Sequence, residues 1–427
     1  ADVDLTMRDE FIHLSGTRRS VGSRGTPVPS PRQPSPVLRT SDLDYELPPR
    51  AVATSPAKPR DAARLLVVSR CDESILEHAT VRDLPRFLIP NDLLILNTTK
   101  VLPARLRGAR IDTRGGVEGL FLRAADNEQW RNLGPGRYWI VLLRGGSLRE
   151  GVIVSLMNNR NEEGGATLEL VSRIPEETGG WLVRVFTPGP SATSMSRSGG
   201  ATSGTATDIT ILGMVGHTPL PPYIIKARRD GGEVVEDAID RTHYQSVFAD
   251  QPGSVAAPTA SLHLTEELLA QIKTKGVRTA DVVLEVGTGT FKPVETEFVE
   301  QHPMHSEHCQ MSRATREVIT AARANGHRVI CVGTTAARTV ESFAATPNAW
   351  AMCETARMDT RLLITPGYTW LSTDGLLTNF HLPQSTLLAL VAALFPGGID
   401  RVKRLYQIAL ANHYRFFSYG DAMLILP

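Results

Sequence analysis

Between Arg105 and Phe186 the chain is cut into short β-rich runs, "RLRGARI", "GGVEGLFLR", "RYWIVLLR", "GVIVSLM", "ATLELVS" and "GWLVRVF", each closed by a glycine-bearing turn. Strands at that spacing close into a small barrel or a sandwich. After Gly216 the pattern changes to alternating helix and strand. "TEELLAQIKTKG" is amphipathic, with Thr265 placed to cap its start and Gly276 to end it, and "DVVLEV" follows. "SRATREVITAARANG" and "RVICVG" repeat the unit. Helix and strand in alternation imply a largely parallel sheet covered on both faces. The expected class is therefore α/β: a large α/β domain with a mostly parallel sheet, plus an inserted small β-barrel domain. The boundaries fall at 41–99 and 214–427 for the large domain and at 100–213 for the barrel.

With 427 residues, 41% apolar and 21% charged, the chain can fill the cores of two or three domains. A net charge of +1 argues against a globally basic nucleic-acid binder and leaves room for a local basic stripe. Cys71, Cys309, Cys331 and Cys353 lack paired CxxC spacing, which suits reduced thiols. The longest apolar run, Leu387 to Phe395, is too short to span a bilayer, and the expected setting is cytoplasmic. Residues 11–40 hold five arginines, five prolines and no acid, so residues 1–40 are expected to be a disordered tail. "PSATSMSRSGGATSGTAT", 190–207, reads as a flexible segment.

Five stretches carry candidate chemistry. "VLEVGTGTFKPV", 283–294, resembles the glycine turn that holds S-adenosylmethionine in many methyltransferases, with Gly287 and Gly289 allowing close backbone approach. Such a turn opens a helix, yet Phe291 takes the place of the third small residue and Pro293 disfavours a helix start. "HPMHSEHCQ", 302–310, gathers His302, His305, Glu307, His308 and Cys309 without a zinc spacing, so no metal site is expected. As a strand it would set His305, Glu307 and Cys309 on one face and His308 on the other. "RVICVGTTAARTVES" ends a buried strand at Gly333, with Thr334 or Thr335 as cap of a helix carrying an Arg338–Glu341 pair; its free amides suit an anionic group. "TNFHLPQSTLLALVAALF" and "HYRFFSYGDAMLIL" place Asn379, His381, Phe417, Tyr419 and Asp421 in loops beside buried elements.

Taken together with "YELPPRAVATSPAKPRDAARLLVV", "PNDLLILNTTKVLPARL", "GHTPLPPYI" and "HYQSVFADQPGSVAAPTASLHLTEELL", these stretches resemble, in order and spacing, the S-adenosylmethionine:tRNA ribosyltransferase-isomerase family of queuosine biosynthesis. The resemblance implies that S-adenosylmethionine serves as co-substrate, not as a recycled cofactor, and gives up its ribosyl portion. The acceptor it implies is the aminomethyl-deazaguanine base at the tRNA wobble position, yielding epoxyqueuosine with release of adenine and methionine. It also implies an α/β domain with an inserted barrel. Other readings are a methyltransferase or related transferase, and a non-catalytic tRNA-binding protein.

For that reaction, His263 and His381 are candidates to exchange protons near neutrality. Asp421 is a candidate to orient the acceptor base, and Arg338 with Glu341 to organise the ribose or the methionyl carboxylate. Tyr244, Thr259, Gly287, Gly289, Thr334, Thr335, Asn379, Phe417 and Tyr419 are expected to bind substrate. Lys100, Arg105, Arg107, Arg110 and Arg114 form a stripe containing one acid, Asp112, and are expected to meet tRNA phosphates. A monomer without membrane contact is expected. Glu285, Thr288, Ser261 and Leu264 depart from the residues usual in the family, which puts the acceptor preference in doubt.

Overall fold

The computed structural model describes residues 37–72, 76–125, 130, 133, 135–158, 160, 162–175, 177, 179–187, 207–233, 237–287, 293–346 and 353–427. Val37–Pro427 forms one compact unit. Its larger sheet has nine strands, in the order Thr355–Thr360, Glu307–Ser312, Arg278–Leu284, Leu93–Asn97, Val329–Val332, Gly375–Asn379, Ala422–Leu426, Arg64–Ser69 and Leu76–Thr80. The α/β class is as expected, and the sheet is mixed. Four neighbouring pairs are parallel and four antiparallel. Three of the parallel pairs are contiguous at the centre; outside them antiparallel pairing takes over, even between Gly375–Asn379 and Ala422–Leu426, which have two helices between them in the chain.

The central strands are buried on both sides and alternate between two cores. Leu93, Ile95, Val329 and Cys331 pack with Ala336 and Val340 of the helix Thr334–Ala345. Leu94, Leu96, Ile330 and Val332 pack on the other face with Leu268 and Ile272 of the helix Glu266–Thr274. The period of two sends successive side chains to opposite layers, so unbroken apolar runs such as "LLILN" and "VICV" serve both. Thr265 caps its helix as expected, accepting from the Leu268 amide at 3.1 Å, and Gly276 ends it at φ +84°.

The β-rich region forms a closed antiparallel barrel. Arg105–Arg110, Gly116–Ala124, Arg137–Gly145, Gly180–Phe186, Glu163–Ile174 and Ile153–Met157 pair in sequence, and the last strand returns to the first through Gly108↔Leu156. Closure needs a glycine there, because a Cβ on Gly108 would lie 2.4 Å from the Ser155 carbonyl oxygen. Trp139 and Trp181 fill the interior with Ile211, Leu212 and Val215 of the helix Asp208–Val215. Gly216–His217 then pairs with Arg105 and Leu106.

One expectation changes at the margin. Most of the expected 1–40 tail and most of the 190–207 segment lie outside the described residues, but residues 37–40 are folded. Leu38 is buried, Arg39 bridges to Phe298, and the Thr40 amide donates to the Glu297 carbonyl at 3.0 Å. This short segment has no periodicity of its own and is ordered by backbone pairing to a distant one.

Candidate functional site

Leu93–Asn97, Val329–Val332, Gly375–Asn379 and Arg278–Leu284 deliver residues at one end of the sheet, the end where ligands collect in parallel α/β sheets. A pocket of ≈ 620 Å³, open mouth included, lies there, and Thr259, Thr334, Thr335, Asn379, His381 and Phe417 are among its lining residues. Sequence positions separated by more than 150 residues are thus brought together. Gly333, at φ +92°, turns the chain from strand to helix and is itself the cap; Thr334 and Thr335, expected to cap, lie inside the first turn. No side chain caps this helix start, so its free amides face the pocket, a favourable environment for an anionic or polar ligand group.

Asn379 organises the floor of the pocket. Its side-chain nitrogen donates to the Phe417 carbonyl oxygen at 3.2 Å, an atom that can only accept, which fixes the orientation of the amide. The same nitrogen meets His263 Nε2 at 3.1 Å, so that ring nitrogen accepts and the proton of neutral His263 sits on Nδ1. Asn379 Oδ1 accepts from the Thr259 hydroxyl at 2.8 Å. Phe417 is held at φ +72°, a costly conformation for a large residue, and its ring lies 4.8 Å from that of Tyr223.

The two histidines do not match the expectation of proton exchange near neutrality. Burial, with Arg415 and Arg60 adding to it, holds His263 down to about 4. Burial alone holds His381 down to about 3, where its Nε2 pairs with the Thr378 hydroxyl at 2.8 Å. Among the described residues no carboxylate is paired with either ring, and burial favours the neutral form of both at physiological pH.

Asp421 is also corrected. It is buried, accepts from the Arg64 and Arg415 backbone amides at 3.0 and 2.7 Å, and does not line the pocket. The expected Arg338–Glu341 pair does not form. Glu341 is fully buried and accepts from the amides of Leu371, Ser372 and Thr373 and from the Tyr368 hydroxyl. Arg338 instead pairs with Glu307 and donates from Nε to the Leu362 carbonyl at 3.1 Å. Helical spacing allows the local pair, but with both side chains buried, tertiary partners claim them separately.

Tyr244 and Tyr419 stack edge to face at 5.8 Å in a buried cluster behind Tyr223, and neither lines the pocket. Gly287 lines a second, wider cleft, while Gly289 and Thr288 lie outside the described residues. That cleft, ≈ 2150 Å³ including open space, runs between Leu122 and Arg123 of the barrel and Glu285, Glu307 and Asp359 of the large sheet. Burial raises the Glu285 carboxyl above its ordinary value, with His308 opposing the shift. Gly253 makes room for it, since a Cβ there would lie 2.8 Å from the carboxyl group. In the "HPMHSEHCQ" stretch, Glu307 and Cys309 face inward and His308 pairs with Asp359 at 3.1 Å, as the alternation requires; His305 is exposed before the strand begins. Among the described residues no group of three or more His, Cys, Asp or Glu could hold a metal ion.

The basic stripe is not one open face. Arg110 is buried, forks onto Asp112 and donates to the Gly146 and Ser147 carbonyls, each at 3.0 Å, so it is engaged with two turns of the barrel. Arg105 pairs with Glu118 at 3.2 Å, Arg114 pairs with Glu163, Arg107 is half-buried and Lys100 is exposed.

Sequence reasoning missed the site roles of Glu307, Tyr223 and Ser418. "GHTPLPPYI" carries part of the resemblance, but nothing in it shows that the Tyr223 hydroxyl meets Ser418 at the pocket wall. Among the described residues no helix is long and apolar enough to cross a membrane.

The profile of a family described as queuosine biosynthesis protein matches residues 40–425. A relative from Moorella thermoacetica, called S-adenosylmethionine:tRNA ribosyltransferase-isomerase, is 39% identical over 91% of this chain and 100% of its own length. One of the same name from Acidithiobacillus ferrooxidans is 42% identical over 91% of this chain and 99% of its own. A crystal structure of S-adenosylmethionine tRNA ribosyltransferase from Thermotoga maritima overlays with a TM-score of 0.46 at 30% identity, covering 90% of this chain and 100% of that one. With its barrel, mixed sheet and pocket at the strand ends, the chain belongs to the queuosine biosynthesis protein family.

Proposed function

We propose that this chain is an enzyme that transfers the ribosyl portion of S-adenosylmethionine to tRNA and isomerises it, the acceptor being the aminomethyl-deazaguanine base at the wobble position. The observation that carries the reading is the collinear match to relatives of that name over 91% of the chain. In this reading the adenosine end enters the pocket at the strand ends. Phe417 and Tyr223 offer it aromatic surface, the amides opening the Thr334–Ala345 helix offer donors to its polar groups, and Asn379, locked by Thr259, His263 and the Phe417 carbonyl, holds a fixed edge. The wide cleft beside it, walled by barrel and sheet, gives the tRNA an approach.

Incubation with S-adenosylmethionine and tRNA carrying the aminomethyl-deazaguanine base is expected to release adenine and methionine and to add a ribosyl-derived mass to the tRNA. Release of S-adenosylhomocysteine would instead make the protein a methyltransferase, and binding without turnover would make it a tRNA-binding protein.

A further inference from the structure

Beside the strand-end pocket lies a smaller one, ≈ 440 Å³ with its open mouth, whose apolar lining includes Met304, Leu363, Ile364, Leu387 and Leu390 and whose polar lining includes Glu307 and Arg338 together with His302 and His305. Leu387 belongs to both pockets, so they adjoin. Glu307 and Arg338 have side chains only 6% exposed and are paired with each other. Arg338 Nη1 holds Glu307 Oε2 and Nε holds the Leu362 carbonyl, whereas Nη2 is buried with no hydrogen-bond partner among the described residues. A buried guanidinium nitrogen left unpaired is costly, and a site that binds an anion there removes the cost.

We infer that the Glu307–Arg338 pair and its apolar wall form the subsite for the amino-acid end of S-adenosylmethionine, the α-carboxylate received by Arg338 Nη2 and the α-ammonium by the Glu307 carboxylate. This rests on the proposed function and names which part of the co-substrate this second pocket takes. A zwitterionic head group needs one cation and one anion side by side, which the pair supplies. A methylene chain ending in a sulfonium needs an apolar passage toward the adenosine pocket, and Leu387 stands where the two pockets meet. Glu307 is in turn approached by the Gly287 amide at 3.4 Å, so the residue that opens the "GTGTF" turn steadies the head-group site.

The test is calorimetric binding of S-adenosylmethionine and of decarboxylated S-adenosylmethionine to the whole chain. The wild-type protein is expected to prefer the carboxylate-bearing form by about 10- to 100-fold, the worth of one or two hydrogen bonds to a charged group. Arg338→Gln is expected to lose that preference, with the decarboxylated form binding it as it binds wild type. Because breaking a buried ion pair can unfold the chain, the double variant Glu307→Gln/Arg338→Gln, which removes both charges together, is the second protein for the same comparison, and it too is expected to show no preference. Equal binding of the two ligands by wild type, or an intact preference in a folded variant, would overturn the subsite. Wild type that releases adenine and methionine while ignoring the carboxylate would sink this inference alone, whereas absence of turnover would sink the enzymatic reading beneath it.

Discussion

Asp421, beside four aromatics in "HYRFFSYGD", has the sequence context of a ligand-binding acid and the surroundings of a structural clamp. Both of its oxygens take backbone amides, one from Arg64 and one from Arg415, joining the strand Arg64–Ser69 to the C-terminal turn. In Asp421→Asn the new amide group must face one of those N–H donors, so the variant should lose about 1–3 kcal/mol of stability, read as a lower urea midpoint, while S-adenosylmethionine affinity holds. Unchanged stability with lost activity would return Asp421 to the substrate. The histidines give a second prediction at this scale. Burial holds His263 at about 4 against an ordinary 6.5, so between those values the unfolded chain binds the extra proton. Its stabilising contribution is complete above about pH 6.5 and lost as pH falls toward 4, on the order of 3 kcal/mol in all. His381, held at about 3, acts in the same direction to a lower pH. Wild type should therefore lose stability steeply from pH 6.5 to 4, and His263→Gln should lose less over that span in denaturant titrations at stepped pH.

Where elements meet, the limiting approaches are between backbones. The helix Asp208–Val215 drops its apolar side into the barrel and passes at once into Gly216–His217, which pairs with the first barrel strand. A Cβ on Gly216 would stand 1.7 Å from the Pro103 carbonyl oxygen, so Gly216→Ala must force strand and helix apart. On Gly213, one turn earlier, a Cβ meets nothing within 4 Å. Gly213→Ala should stabilise by about 0.5–1 kcal/mol, as alanine does inside helices. Gly216→Ala should destabilise by several times that amount, and thermal unfolding of the two variants should move the melting temperature in opposite directions.

Across the whole molecule, the barrel and the large sheet share the wide cleft, and the charges available to RNA depend on which arginines the fold has already used. Arg110 is tied to Asp112 and two carbonyls, whereas Lys100 is exposed. Lys100→Gln should weaken tRNA binding and lower the slope of log affinity against log salt by about 0.9 for each phosphate the protein no longer neutralises. Arg110→Gln should leave that slope unchanged and lower stability instead, because it removes the buried guanidinium that ties Asp112 to the Gly146 and Ser147 carbonyls. Filter binding from low to moderate salt separates the two, and an Arg110→Gln protein with a flattened slope would show that this side chain reaches RNA after all.

The barrel, the helix–strand alternation and the Thr265 cap were legible because each follows from local periodicity and local hydrogen bonding, which neighbouring residues set among themselves. Asn379, Thr259, Thr334, Thr335 and Phe417 could be nominated from loops beside buried elements, yet their meeting in one pocket depends on the order of strands in the sheet, which no short stretch encodes. The same holds for charge. Arg338 and Glu341 are spaced to pair along a helix, but burial demands that every charged group be satisfied, and the partners within reach were Glu307 from the adjacent sheet for one and the Leu371–Thr373 amides for the other. Sequence alone determined which elements form and which family they compose; the tertiary structure decided which buried polar groups satisfy one another and which, like Arg338 Nη2, are left without a partner among the described residues, because desolvation is set by three-dimensional neighbours and not by neighbours along the chain.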